Sequence, residues 1–235
     1  AILTAQDLVD LVRDNPSVSA VSSHHTRYPK PHARGVVFFD ICFIRHPLRR
    51  IRSLYHYGRR IDPAHWMAQL ALAHDEAGFV AQLVEHFPHT TTDVQINHLV
   101  NGGAFARAAG PRDLDAAIAI LQDMSVPGVV ELFDESLTAG EFFLRPAFPR
   151  IDFAYIAQNV SSPDGHDPSG RGDILDVCRS TWGDELLETV LALNAWDLQL
   201  HKAAQDEVLR RLRMLPAHEG RLNAFRERCL ALKQT

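Results

Sequence analysis

Leu8, Leu11 and Val12 recur at helical spacing behind Thr4-Ala5-Gln6-Asp7, a capping box with Asp7 where Glu or Gln is usual. Asn15-Pro16 ends that helix, because proline disfavours helical backbone in the residue before it. Val18 to Ser22 reads as a short strand. Gly35 marks a turn, and Val36 to Ile44 is a nearly continuous apolar run that predicts a strand buried on both faces, as in a parallel sheet. Pro47 suits a first helical position and opens a helix to about Arg60, with Leu48, Ile51 and Tyr55 as its inward stripe. Residues 63 to 124 read as helical pieces broken at Gly78, Pro88, Gly102-Gly103 and Pro111. Pro127 to Phe133 predicts another strand with a helix from about Glu135, and Asp152 to Ala157 a further strand. Ser161 to Gly172 is rich in Ser, Pro, Gly and Asp and reads as an exposed loop; from about Asp184 the chain is helical almost to its end. Strands separated by helices predict an α/β fold with a parallel sheet, a helical insert at 61–124 and a helical C-terminal region.

Composition narrows the classes. With 235 residues, 46% of them hydrophobic and 23% charged, the chain reads as a single globular domain. No apolar run approaches the roughly 20 residues of a spanning helix, and a net charge of -5 argues against a general nucleic-acid binder. Cys42, Cys178 and Cys229 are too few and too scattered for a disulfide framework or a zinc site. His24-His25, His46 and His86-x-x-His89 match no metal-ligand spacing, so no metal is expected. The cations divide very unequally, into 21 arginines and the three lysines Lys30, Lys202 and Lys233.

Phe43-Ile44-Arg45-His46-Pro47-Leu48-Arg49-Arg50-Ile51-Arg52-Ser53-Leu54-Tyr55 concentrates the chemistry. Arg45 falls at the carboxyl end of a strand, where open α/β sheets place ligands. Pro47 opens a helix whose free N–H groups and dipole favour an anion. Arginine presents a planar fork that matches phosphate, so Arg45 and Ser53 could hold one phosphate from two sides. Arg50, Arg52, Arg59 and Arg60 suit a solvated helix face; with Arg49 they equally suit a basic rim for an anionic glycan.

Arg-x-Pro-x-x-Arg-x-x-Ser-x-Tyr after an apolar strand resembles the 3′-phosphate segment of sulfotransferases that use 3′-phosphoadenosine 5′-phosphosulfate (PAPS), and more narrowly the carbohydrate branch that includes heparan sulfate 2-O-sulfotransferase and its bacterial relatives. The resemblance implies a P-loop-type parallel sheet flanked by helices. It implies that Arg45 and Ser53 bind the 3′-phosphate of PAPS, and that a histidine of Val21-Ser22-Ser23-His24-His25 is the base. His24 is preferred to His25, since it directly follows a predicted strand. Gln95-Ile96-Asn97-His98-Leu99-Val100-Asn101-Gly102-Gly103, Val129-Val130-Glu131-Leu132-Phe133-Asp134-Glu135-Ser136-Leu137 and Asn194-x-x-Asp197-x-x-Leu200 are similar to further family segments in the same order. Asn159-Val160-Ser161-Ser162 resembles the loop near the nucleotide, which implicates Ser161 and Ser162. Where the family often has Asp after the first Arg, this chain has His46.

The implied reaction is in-line attack of an acceptor hydroxyl on sulfur, with adenosine 3′,5′-bisphosphate leaving and histidine taking the proton. The acceptor would be a hydroxyl-bearing small molecule or glycan, with homo-oligomerisation left open. The family's phosphosulfate loop, Lys-Thr-Gly-Gly-Thr or a close relative, has no counterpart in the chain; the expectation is that it lies upstream of Ala1 with the first strand. Its absence also fits a non-catalytic sulfotransferase-like module that binds a nucleotide or glycan. A P-loop kinase or NTPase would instead need an upstream Gly-Lys-Ser/Thr. The absence of a leader, the few cysteines and the arginine bias point to a bacterial cytoplasmic protein.

Overall fold

Residues 2–103, 107–157 and 173–233 are described by the computed structural model. Eleven helices are described: α1 (Ala5–Asp14), α2 (Pro47–Gly58), α3 (Trp66–Ala73), α4 (Glu76–His86), α5 (Val94–Val100), α6 (Pro111–Asp123), α7 (Phe133–Leu144), α8 (Ile174–Trp182), α9 (Asp184–Leu193), α10 (Ala195–Arg213) and α11 (His218–Leu232). Two short strands, β1 (Ile41–Ile44) and β2 (Val126–Val129), form a parallel sheet in which Ile41 faces Val126 and Ile44 faces Val129. The architecture is mostly helical, with a small parallel sheet at its centre. No helix among the described residues is long and apolar enough to cross a membrane.

The helices follow their local signals. The Thr4 hydroxyl accepts the Asp7 N–H at 3.2 Å while the Asp7 carboxylate accepts the Thr4 N–H at 2.7 Å, so the capping box forms as read. α2 begins at Pro47 and buries Leu48 and Ile51 completely, as its apolar stripe requires. Helices α3 to α6 lie between residues 61 and 124, where helical pieces are expected.

Strands follow the sequence less well. Val18 to Ser22 and Asp152 to Ala157 are not strands; the nearby pairing is a single parallel bridge between Leu3 and Thr26. The run from Val36 joins the sheet only from Ile41, Val36 itself making a single antiparallel bridge to Ala33, and the expectation of burial on both faces fails for most of it. Val37 is 76% exposed and Ile41 47%, and only Ile44 is fully buried. After β2, Val130–Leu132 is a 3-10 turn rather than more strand, and α7 starts two residues before the expected Glu135.

Two apolar clusters hold the elements. Ile44 and Val129 pack with Ile96, Leu121, Leu200 and Val208, joining the sheet to α5, α6 and α10. Leu48 and Ile51 pack with Phe79, Leu83, Cys178 and Leu187, joining α2 to α4, α8 and α9. Thus β1 enters one cluster and the helix that follows it enters the other. Arg45 and His46 lie at the step between them.

Candidate functional site

The site is built at the carboxyl ends of β1 and β2. Arg45 follows β1 directly, and its backbone is gripped on both sides by one side chain. The Arg45 N–H donates to Gln95 Oε1 at 2.8 Å, and Gln95 Nε2 donates to the Arg45 carbonyl at 2.8 Å. Gln95 is fixed in turn by Asp197, whose carboxylate accepts the N–H groups of Gln95 at 3.0 Å and Ile96 at 2.9 Å. Asp93 reciprocates: its carboxylate accepts the N–H groups of Trp196 at 3.1 Å and Asp197 at 3.0 Å. Each of α5 and α10 therefore has its first-turn donors satisfied by a carboxylate from the other, a favourable place for negative charge. Asn194 completes the junction by donating to the Thr91 carbonyl at 2.7 Å.

Burial opposes these two charges. It lifts the Asp197 carboxyl above its usual range, against the N–H groups of Gln95 and Ile96. Burial, together with the charge of Asp197, also brings Asp93 to about 6 despite its two N–H donors.

His46 is held differently. Its N–H donates to Glu131 Oε1 at 3.0 Å, and Glu131 Oε2 lies 3.1 Å from Nε2 of the buried His201 on α10. The His46 and His201 rings meet edge to face with centroids 5.2 Å apart. Burial and the proximity of His201 depress the His46 pKa to about 4, with Glu131 opposing. Burial pushes the Glu131 carboxyl up, but the hydrogen bonds from His201 and the His46 N–H outweigh it and leave the pKa below its usual value.

Pro47 follows, and the side chain of His46, the N-cap residue, makes no hydrogen bond to the first turn of α2. Ser53 lies farther along α2, and its hydroxyl donates to the Arg50 carbonyl at 2.6 Å, leaving its lone pairs to accept. Arg45 and Ser53 thus share one strand–helix unit, without a hydrogen bond between them.

His24 and His25 are exposed on a turn. The His25 carbonyl accepts the Leu3 N–H at 2.8 Å, and the His24 carbonyl accepts from Arg27 Nη1 at 2.6 Å. The loop carrying them is anchored at its far end by Asp40. That carboxylate accepts from Tyr28 at 2.7 Å, Lys30 at 3.1 Å, and the N–H and hydroxyl of Ser125 at 3.0 and 2.7 Å. Burial raises the Asp40 carboxyl, and these donors more than reverse the effect. Ser161 and Ser162 lie outside the described residues.

The arginines of α2 are not one solvated face. Arg52 forms a fork with Glu76, at 2.7 and 3.3 Å, and Glu76 also accepts from Trp182 Nε1 at 2.9 Å. Arg50 turns inward to the Thr90 carbonyl. Arg59 lies over the Tyr55 ring, and Arg60 binds the His56 carbonyl. A basic rim built from all of them is therefore not what the structure presents. Among the described residues no group of three or more His, Cys, Asp or Glu is arranged to hold a metal.

Sequence reasoning singled out Arg45 but not the side chains that hold it. Gln95, Glu131 and Asp197 each lay in a segment noted for its resemblance, and Gln95 and Asp197 each sit in the first turn of a helix, a position that suits exchanged caps.

No protein-family model and no solved structure matches the chain. It is similar to an uncharacterized protein of Archaeoglobus fulgidus, 25% identical over 207 residues that cover 86% of this chain and 80% of that protein.

Proposed function

We propose that this protein is a PAPS-dependent sulfotransferase with a P-loop-type core, acting on a hydroxyl, most naturally of a carbohydrate. The observation that carries the reading is the grip of Gln95 on Arg45 at the end of a parallel strand, two residues before α2 begins. A double hydrogen bond on one residue's backbone fixes the origin of its side chain, which a phosphate-binding guanidinium requires.

In this reading Arg45 and Ser53 hold the 3′-phosphate, and Ser161 and Ser162 contribute near the nucleotide. The acceptor oxygen forms a bond to sulfur as the bond from sulfur to the 5′-phosphate oxygen breaks. The hydroxyl proton passes to His24, or to His25, and adenosine 3′,5′-bisphosphate leaves with the electron pair. A bacterial, cytoplasmic setting belongs to the same reading.

One observation favours the second reading, a non-catalytic module that binds a nucleotide or glycan. Lys30 is paired with Asp40, Lys202 with Asp206 on α10, and Lys233 follows the end of α11. None of the three stands at the carboxyl ends of β1 and β2 to assist departure of the bisphosphate.

Titration calorimetry with adenosine 3′,5′-bisphosphate tests the site. Binding is expected, and Arg45→Ala should weaken it by roughly 10- to 100-fold, the worth of charge-assisted phosphate contacts. Radiolabelled transfer from PAPS to a panel of glycans then separates enzyme from binding module. Binding of ATP with none of the bisphosphate would reject both readings.

A further inference from the structure

A cavity of about 310 Å³ opens at the amino ends of β1 and β2. That volume falls at the small end of the range for small-molecule sites. Phe39 precedes β1 and Met124 precedes β2; Phe143 comes from the last turn of α7, and Arg210 and Met214 from the end of α10. Arg45 follows the other end of β1, so the length of that strand, about 13 Å for four residues, separates it from the cavity. Most of the wall is apolar. Met124 is buried, whereas Phe39 and Met214 are exposed, and Phe39 meets Phe148 edge to face with centroids 5.2 Å apart. Exposed aromatic and thioether groups around a concavity favour an apolar occupant, and methionine sulfur packs well against an aromatic ring.

The polar part of the wall is basic. Glu207 accepts from Arg210 Nε at 2.7 Å and Nη2 at 2.8 Å, and also from Arg211 Nε at 2.6 Å. One carboxylate therefore faces two guanidiniums, which leaves this wall with an excess positive charge. Asp40, bonded to Ser125 beneath the cavity, is balanced by Lys30. Arg211 is occupied elsewhere, its Nη1 and Nη2 donating to the carbonyls of Met124, Ser125 and Gln122. Arg210 is not: among the described residues its Nη1 reaches only the Met214 sulfur, at 3.2 Å. A thioether is a weak acceptor for a charged donor, and an anionic oxygen would replace it with a stronger bond.

We propose that this cavity is a binding site for an aromatic carboxylate. The ring lies among Phe39, Phe143, Met124 and Met214, and the carboxylate accepts from Arg210 Nη1 in place of the Met214 sulfur. Two carboxylates then face two guanidiniums, and the wall is neutral. The site stands at the opposite end of the sheet from Arg45 and does not rest on the sulfotransferase reading.

The methionines supply the test. The chain has three: Met124 and Met214 line the cavity, and Met67 lies outside it on α3. NMR of protein labelled at its methionine methyl groups, assigned with Met67→Leu and Met214→Leu, is followed during titration with naphthoate. The Met124 and Met214 signals should shift and saturate together while Met67 stays in place. Naphthylmethanol, which keeps the rings without the charge, should bind about 3- to 10-fold more weakly, a modest factor because Arg210 is half exposed to solvent. Arg210→Gln should abolish that preference and keep the methyl shifts. No saturable shift of Met124 and Met214 in the wild-type protein would overturn the proposal, and that measurement needs no variant to fold. Equal affinity for the two probes would overturn it as well, as would a preference for naphthoate that survives in full in Arg210→Gln. Displacement of naphthoate by adenosine 3′,5′-bisphosphate would overturn the separation from Arg45, whereas failure of the bisphosphate to bind at all would sink the donor reading and leave this site standing.

Discussion

Asp93 is a buried carboxylate and Asp40 a half-buried one, each with several donors, and they should respond to pH in opposite senses. Asp40 has cationic help from Lys30, and its folded pKa lies below the usual 3.8. Its contribution is present above the unfolded value and is lost as pH falls through the folded one. Asp93 has two N–H donors but faces the charge of Asp197, and its pKa is about 6. A raised acid makes its stabilising contribution below the unfolded value of 3.8 and loses it as pH rises through 6. Asp93→Asn retains an acceptor for Trp196 and Asp197 without the charge. It should be more stable than the wild-type protein by about 1–3 kcal/mol at pH 8, with the gain fading near pH 4, in urea denaturation at the two pH values. A gain that is the same at both would remove Asp93 as its source.

At the scale of elements, α2 links the candidate site to the rest of the fold through Glu76. That carboxylate is buried between Arg52 of α2 and Trp182 of α8. Glu76→Ala removes the acceptor shared by Arg52 and Trp182 Nε1 and should cost about 1–3 kcal/mol, the worth of hydrogen bonds to a buried charged group. A loss below about 0.5 kcal/mol in chemical denaturation would show that these bonds do not hold α2 to α8. The helix itself was legible: Pro47, Leu48 and Ile51 state its start and its buried face within a few residues. The strands were not, because a strand exists only where another pairs with it. Val18–Ser22 and Val36–Asp40 have strand composition, yet they form no ladder among the described residues. The pairing of Ile41–Ile44 depends on a partner more than 80 positions away, which composition at either place does not reveal.

Across the whole molecule, four distant segments meet at one point: Arg45 and His46, Gln95, Glu131, and Asp197 with His201. Their sequence order suggested a common site, while the bonds between them came only from the fold. Gln95 has no charge and no reactive atom, so nothing in its type marks it as the group that fixes Arg45. This arrangement has a measurable consequence. Asp197 holds the Gln95 backbone, and Gln95 holds the Arg45 backbone, so substitutions at the two positions remove links in one chain. Gln95→Ala should destabilise the protein by about 1–3 kcal/mol through unpaired backbone groups. In a double-mutant cycle with Asp197→Asn, the combined loss should differ from the sum by about 0.5–3 kcal/mol. Gln95→Glu keeps the size but sets a carboxylate oxygen against the Arg45 carbonyl. It should weaken adenosine 3′,5′-bisphosphate binding even at temperatures where the protein remains folded. Strict additivity in the cycle, together with unchanged binding in Gln95→Glu, would mean that Arg45 is positioned by the strand alone.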